Sequence, residues 1–299
     1  MIFMDEKKFR GVFTAIITPF KRDESVDYDS LGKLVEFQIK NGVAGIVPCG
    51  TTGESPTLNH EEHKKVIDFV IKKVKKRCLV VAGTGSNCTK EAVELSRDAE
   101  HAGADALLLV NPYYNKPTQE GLFLHFKKIA DSVKIPVIIY NIKGRTGVNV
   151  ETSTLIRIIS ACPNVLAVKE ASGDLNQMMD VIAKAPRYFS VLSGDDNMTL
   201  NLIKAGGMGV ISVASNAVPK EMVQLVDFAL SKNYPEAERV NSKLASFFEN
   251  IFIETNPIPI KFVLAQKKMC EEVYRLPMCE MTKEHKEKVS ALIKQMGLI

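Results

Sequence analysis

The sequence has no closely paired cysteines. Its six, Cys49, Cys78, Cys88, Cys162, Cys270 and Cys279, show no CxxC spacing and no small-domain framework. They read as reduced thiols of a cytoplasmic protein rather than as disulfides or a metal knuckle. No apolar run approaches the roughly 18 residues of a membrane span. The N-terminal stretch MIFMDEKKF lacks an apolar h-region and is acidic early, so it does not read as a signal peptide. Strong charge is also missing: 39 basic against 35 acidic residues leave a net +4, with the basic residues scattered. Runs such as Lys72-Lys73 and Lys75-Lys76-Arg77 read as the solvated end of a helix, where cations suit the dipole. Nucleic acid and membrane are therefore not expected partners. There is no linker, low-complexity segment or clear short repeat. GTGSNC (83–88) lacks the third glycine of GxGxxG, no GxxxxGK[ST] occurs, and His60-Glu-Glu-His63 is not HExxH and has no apparent third ligand. No metal and no cofactor are expected.

What is present is a regular alternation. Eight short β-rich runs, 12–18, 44–49, 79–84, 106–110, 136–141, 165–170, 189–194 and 209–214, are separated by amphipathic segments such as Asn59 to Lys76 and Thr89 to Ala102. Asp27 and Asn59 stand where helix N-caps belong, and Gly42 and Gly103 where helices should end. The runs are continuously apolar, as strands of a parallel sheet are when both faces are buried. Eight such units across about 220 residues predict a closed (β/α)₈ barrel of the α/β class, a TIM barrel. An open doubly wound sheet is the second choice. Residues 1–233 are assigned to the barrel and 234–299 to a C-terminal helical extension of about three helices, interrupted at Asn256-Pro257-Ile258-Pro259 and Leu276-Pro277.

In a barrel of this class the chemistry sits at the carboxyl ends of the strands. Read in order, these ends carry GTTGES (50–55), NPYYNKP (111–117), YNIKGRTG (140–147), Lys169 and SGDD (193–196). A lysine closing the apolar run VLAVKE costs desolvation energy. Either its ammonium snorkels to water, or the site uses an amine that is easily deprotonated. A neutral amine can form a Schiff base with a ketone or aldehyde, and the iminium then acts as an electron sink that turns the neighbouring carbon into an enamine nucleophile. Tyr140 is a candidate proton shuttle, with Thr51 or Thr52 relaying. Arg145 suits a bidentate carboxylate, and the backbone N–H groups of the GTTGE turn suit a second one. Taken singly, each has a plainer reading: an ion-paired lysine, a turn, packing tyrosines, a surface arginine. Asp195 and Asp196 read as an N-cap and first turn rather than as metal ligands. The joint occurrence at successive strand ends is what selects the catalytic reading.

In their order, GTTGES, NPYYNKPTQEG, YNIKGRTG, VKEASG, SGDD, GGMGVISV and NPIPIK resemble the dihydrodipicolinate synthase (4-hydroxy-tetrahydrodipicolinate synthase) family. This is a branch of the pyruvate-dependent lyase and aldolase superfamily. The resemblance spans essentially the whole chain. It implies a lyase that condenses pyruvate with L-aspartate 4-semialdehyde at the committed step of lysine and diaminopimelate biosynthesis, usually a homotetramer built as a dimer of dimers. It also implies roles: Lys169 as the Schiff-base lysine, Tyr140 as acid/base, Thr51 as relay, and Tyr114 completing the relay of the neighbouring subunit. Thr52 would contact the pyruvate carboxylate and Arg145 that of the semialdehyde, with Gly194 and Ile211 lining the site. Ser55, His60, His63, Asn87, Glu91 and Tyr113 match positions that line the lysine site in lysine-sensitive members, which makes L-lysine an expected effector. The plainer alternative puts His60 and His63 facing solvent on a helix. One departure stands out: Lys143 replaces the proline usual in Tyr-Asn-x-Pro, which bears on the rigidity of the Arg145 loop. Two other functions fit less well. A sister lyase acting on N-acetylneuraminate or a keto-sugar acid need not place an arginine at 145. A non-catalytic keto-acid-binding barrel should have lost the lysine or the tyrosine.

Overall fold

The computed structural model describes residues 8–299; the N-terminal stretch, through residue 7, lies outside the described residues. Eight strands form a closed, wholly parallel barrel in chain order: β1 (Gly11–Ala15), β2 (Gly45–Val47), β3 (Leu79–Gly83), β4 (Ala106–Val110), β5 (Val137–Asn141), β6 (Val165–Glu170), β7 (Ser190–Ser193) and β8 (Gly209–Ser212), with β8 returning to β1. The barrel is the predicted one, and the open sheet is excluded. Several strands stop earlier than the apolar runs suggested. Ile16, Ile17, Cys49, Val213 and Ala214 lie beyond the last ladder residues yet are buried, because the turns over the mouth pack inward as well.

The connecting helices are α1 (Tyr28–Lys40), α2 (His60–Val74), α3 (Thr89–Ala102), α4 (Gln119–Ala130), a single turn α5 (Lys143–Thr146), α6 (Thr152–Ala161), α7 (Leu175–Lys184), α8 (Thr199–Lys204) and α9 (Pro219–Leu230). The predicted caps are in place. The Asp27 carboxylate accepts from the Asp29 and Ser30 amides, and Asn59 forms a capping box with Glu62. Gly103 closes α3 at φ 96°, a left-handed geometry open to glycine at little cost. Three more helices follow, α10 (Tyr234–Asn250), α11 (Ile258–Gln266) and α12 (Lys283–Gln295). In α11, Ile258 through Leu264 are buried without a break, so this helix is enclosed rather than amphipathic.

The core has two parts. Phe9, Phe13, Val47, Val81, Leu108, Ile138, Ala167, Leu192 and Ile211 fill the barrel interior, and a larger cluster fills the space between strands and helices. Register then sets the site. Val110 pairs with Tyr140, Tyr140 with Lys169 and Lys169 with Leu192. Because side chains alternate along a strand, Tyr140 shares the interior face with Ile138, and Lys169 shares it with Ala167. Asn141 and Glu170, one residue on, turn toward the helices.

Candidate active site

Lys169 is 5% exposed, and its Nζ lies 4.1 Å from the centre of the Tyr140 ring. Gly194 gives the lysine stem its room. A Cβ there would fall 3.1 Å from Lys169 Cε and 2.5 Å from Ala171 Cβ. The Gly194 amide donates to the Glu170 carbonyl at 2.6 Å, which ties the end of β7 to that of β6. Burial raises the neighbouring Asp195 carboxyl above its usual range, opposed by the charge of Lys169. Ile211 is fully buried on β8, on the interior face of the barrel.

The turn after β2 forms the opposite wall. The amides of Gly53 and Ser55 donate to the Gly50 carbonyl, and that of Glu54 to the Thr51 carbonyl. The N–H groups of Thr51 and Thr52 have no partner among the described residues, which suits a backbone cradle for an anion. Thr51 and Tyr140 border one small cavity of about 30 Å³. Thr52 is buried, and its Oγ1 accepts from Asn256 Nδ2 at 3.0 Å. The carbonyl of the same Asn256 accepts from an Arg145 guanidinium nitrogen at 3.2 Å. Asn256 thus joins the two residues expected to hold carboxylates. Sequence reasoning assigned it no role.

Arg145 rides on α5, and its loop is fastened from several directions. Thr146 Oγ1 donates to the Ile142 carbonyl at 2.9 Å, and Asn111 Nδ2 donates to the Val148 carbonyl at 3.1 Å and to Asn141 Oδ1 at 2.9 Å. The Val150 amide donates to Asn141 Oδ1, and Asn141 Nδ2 donates to Asn149 Oδ1 and Glu170 Oε1. Lys143 is exposed at the start of α5. These bonds restrain the loop around Lys143, where the family resemblance leads one to expect a proline. Glu170, also unassigned in the sequence, is the network's one acid. It accepts from Asn141, Gln177 and Ser172, and burial pushes its carboxyl up to about 7.

A second space of about 380 Å³ opens beside this mouth. Thr51, Arg145 and Thr146 line it together with Ser55, Pro56, His60, His63, Glu91 and Tyr113. Five of the six expected effector residues therefore share one cavity with two residues of the mouth. Asn87 stands next to it, its carbonyl accepting from Asn115 Nδ2 at 2.9 Å. Glu91 receives a hydrogen bond from Ser86 and pairs with His60 Nε2 at 2.7 Å. The Ser86 bond and the His60 contact hold its carboxyl below the usual range. His60 faces solvent, whereas His63 is buried and burial lowers its ring to about 4. Tyr114 is different. It is 91% exposed, at φ 71°. Asp195 precedes a short 3₁₀ turn as expected, but it makes no cap bond. Asp196 binds Ser212 Oγ and the amides of Val213 and Ala214 instead, so it caps the turn after β8 rather than its own helix.

A closed parallel barrel with a buried amine over a tyrosine at its mouth has the form of a (β/α)₈ lyase that works through a lysine Schiff base. The chain belongs to the dihydrodipicolinate synthetase family, whose model matches residues 8–296. It is 51% identical to the 4-hydroxy-tetrahydrodipicolinate synthase of Methanocaldococcus jannaschii over 97% of this chain and 100% of that one. The dihydrodipicolinate synthase structure from Aquifex aeolicus superposes with a TM-score of 0.96 at 46% identity, covering 97% of this chain and 99% of that one. The enzyme from Cyanidioschyzon merolae, solved with lysine bound, gives a TM-score of 0.96 at 37% identity, covering 98% and 100%.

Proposed function

We propose that the chain condenses pyruvate with L-aspartate 4-semialdehyde to 4-hydroxy-tetrahydrodipicolinate, the committed step toward lysine and diaminopimelate. The observation that carries this reading is Lys169 held against Tyr140 at the barrel mouth, in a chain of this family. The neutral Lys169 amine adds to the pyruvate ketone and water leaves, giving an iminium. Loss of a methyl proton gives the enamine, whose carbon attacks the aldehyde of the second substrate. Tyr140 accepts and returns these protons, Thr51 relays them, and Tyr114 of a neighbouring subunit completes the path. The ring nitrogen of the product is the semialdehyde's own amine, so ring closure displaces Lys169. Thr52 and the free amides of its turn take the pyruvate carboxylate, Arg145 takes that of the semialdehyde, and Gly194 and Ile211 line the pocket.

The exposure of Tyr114 supports a shared site, and with it a homotetramer built from dimers. The cavity lined by Ser55, His60, His63, Glu91 and Tyr113, with Asn87 beside it, supports L-lysine as a feedback effector, its ammonium paired with Glu91. Six unpaired cysteines support a cytoplasmic location. No helix among the described residues is long and apolar enough to cross a membrane. The division into a barrel of residues 1–233 and a helical region of 234–299 follows the end of α9 and the start of α10.

Borohydride reduction in the presence of pyruvate should leave one reduced pyruvyl group, mapped by peptide mass spectrometry to Lys169. A condensation assay run beside pyruvate with N-acetylmannosamine should show turnover of the semialdehyde alone. An adduct elsewhere, or none, sinks the mechanism. Adding L-lysine to the same assay should inhibit the wild type and leave Glu91→Ala uninhibited.

A further inference from the structure

The chain buries a second lysine for which the proposed reaction has no use. Lys261 lies in the run IPIKFVL of α11 and is fully buried, 4.2 Å from the Phe20 ring centre and 5.4 Å from that of Tyr274. Its carboxylate partner is Glu54, which is buried as well. Burial lowers the Lys261 amine, and the charge of Glu54 opposes the shift. Such a pair is a poor device for stability, since desolvating two ions offsets their attraction and apolar residues of similar volume serve as well or better. Its location suggests another use. Glu54 closes the pyruvate-side turn at φ 51°, the left-handed region that a side chain seldom adopts. Its amide donates to the Thr51 carbonyl at 3.1 Å, and its own carbonyl accepts from the Thr57 amide at 2.9 Å. Thr51 and Thr52 lie on one side of it, and Ser55 and Pro56 of the second cavity on the other. The segment that delivers Lys261 also delivers Asn256 to Thr52.

We propose that Glu54 and Lys261 are a positioning pair for the pyruvate-binding turn, through which α11 holds Thr51 and Thr52 at the barrel mouth. The proposal rests on the reading of these threonines as the pyruvate side of the site. The buried pair, with Arg275 donating from its amide to the Glu54 carboxylate and from its guanidinium to the Thr57 carbonyl, anchors from outside the barrel a strained turn whose amides at Thr51 and Thr52 stay free among the described residues. The C-terminal helices are therefore part of the catalytic unit rather than an appendage.

The test compares Lys261→Met and the neutral pair Glu54→Gln/Lys261→Met with the wild-type protein. Loosening a positioned group by about 1 Å costs up to roughly a hundred-fold, so Lys261→Met should raise the pyruvate KM at least about ten-fold and that of the semialdehyde much less. Hydrogen exchange at the amides of residues 53–57 should quicken while the strand amides stay as in the wild type. The neutral pair should regain the melting temperature and keep both defects, which a merely structural pair would not. If Lys261→Met does not fold, the neutral pair carries the measurement. Recovery of KM and exchange together with the melting temperature, or wild-type values in the single variant, would overturn the proposal. Failure of the wild type to form a Lys169 adduct would instead overturn the proposed reaction, and the exchange data would still decide the anchoring.

Discussion

Glu170 shows how one residue can carry two messages. It follows Lys169 directly, yet it faces the helices and meets only neutral donors from Asn141, Gln177 and Ser172. Burial without a cationic partner pushes its carboxyl up to about 7, from an ordinary value of 4.5. The native state therefore holds this proton to higher pH than the unfolded chain does. The associated stability is complete below about 4.5 and is lost as pH rises toward 7. The shift corresponds to about 3 kcal/mol, with no further loss above that range. Glu170→Gln should erase this slope, gaining on the wild type as pH climbs from about 4.5 to 7. Melting temperatures of the two proteins at matched protomer concentration would show it, and a constant difference across that window would refute it. His63 and His125, whose rings burial lowers to about 4, give the opposite slope in both proteins and cancel in the comparison.

At the scale of elements, the loop after β5 carries Arg145, the residue proposed to take the semialdehyde carboxylate. Its only helical segment is the single turn α5, yet Asn111, Asn141 and Thr146 stitch residues 142–150 to β4 and β5. Arg145 itself is exposed and its side chain, among the described residues, hydrogen-bonds only to the Asn256 carbonyl, so its guanidinium is available to a ligand. A charged hydrogen bond is worth roughly 1.5–3 kcal/mol, so Arg145→Ala should raise the semialdehyde KM by about ten- to a hundred-fold and the pyruvate KM far less. Equal effects on both substrates would count against the assigned role. A large drop in melting temperature would show that the arginine works for the fold instead.

At the scale of the molecule, Tyr114 is 91% exposed on its own chain, and the proposed function gives it to a neighbour's site. It sits at a left-handed φ beside Asn115, whose amide donates to the Tyr113 carbonyl and whose side chain bonds to the Asn87 carbonyl. If it serves a neighbour, Tyr114→Phe and Lys169→Ala are each inactive for reasons located in different subunits. Hybrid dimers of the two should then recover part of the wild-type rate, because one of their two sites has both groups intact. With subunit exchange demonstrated by mass spectrometry, absence of recovery would rule out the shared site.

The order of strands, the barrel, the caps at Asp27 and Asn59 and the placing of Lys169 beside Tyr140 at the strand ends were all legible in the chain. Each rests on local pattern: apolar runs of strand length, capping residues and strand ends. Lys261 carried the same signal as Lys169, a lysine inside an apolar run, but its partner Glu54 lies 207 positions away. No local pattern pairs residues at that distance. Nor could the sequence say that Asn256 bridges Thr52 and Arg145, or that Asp196 caps the turn after β8. The second cavity likewise exists only because α2, α3 and the loops after β2, β4 and β5 meet beside the mouth. Strand period and burial fixed which way each side chain faces. Closure of the barrel and the return of α11 across it decided what each one touches, because only the folded chain brings such distant donors and acceptors into a space with no water to satisfy them.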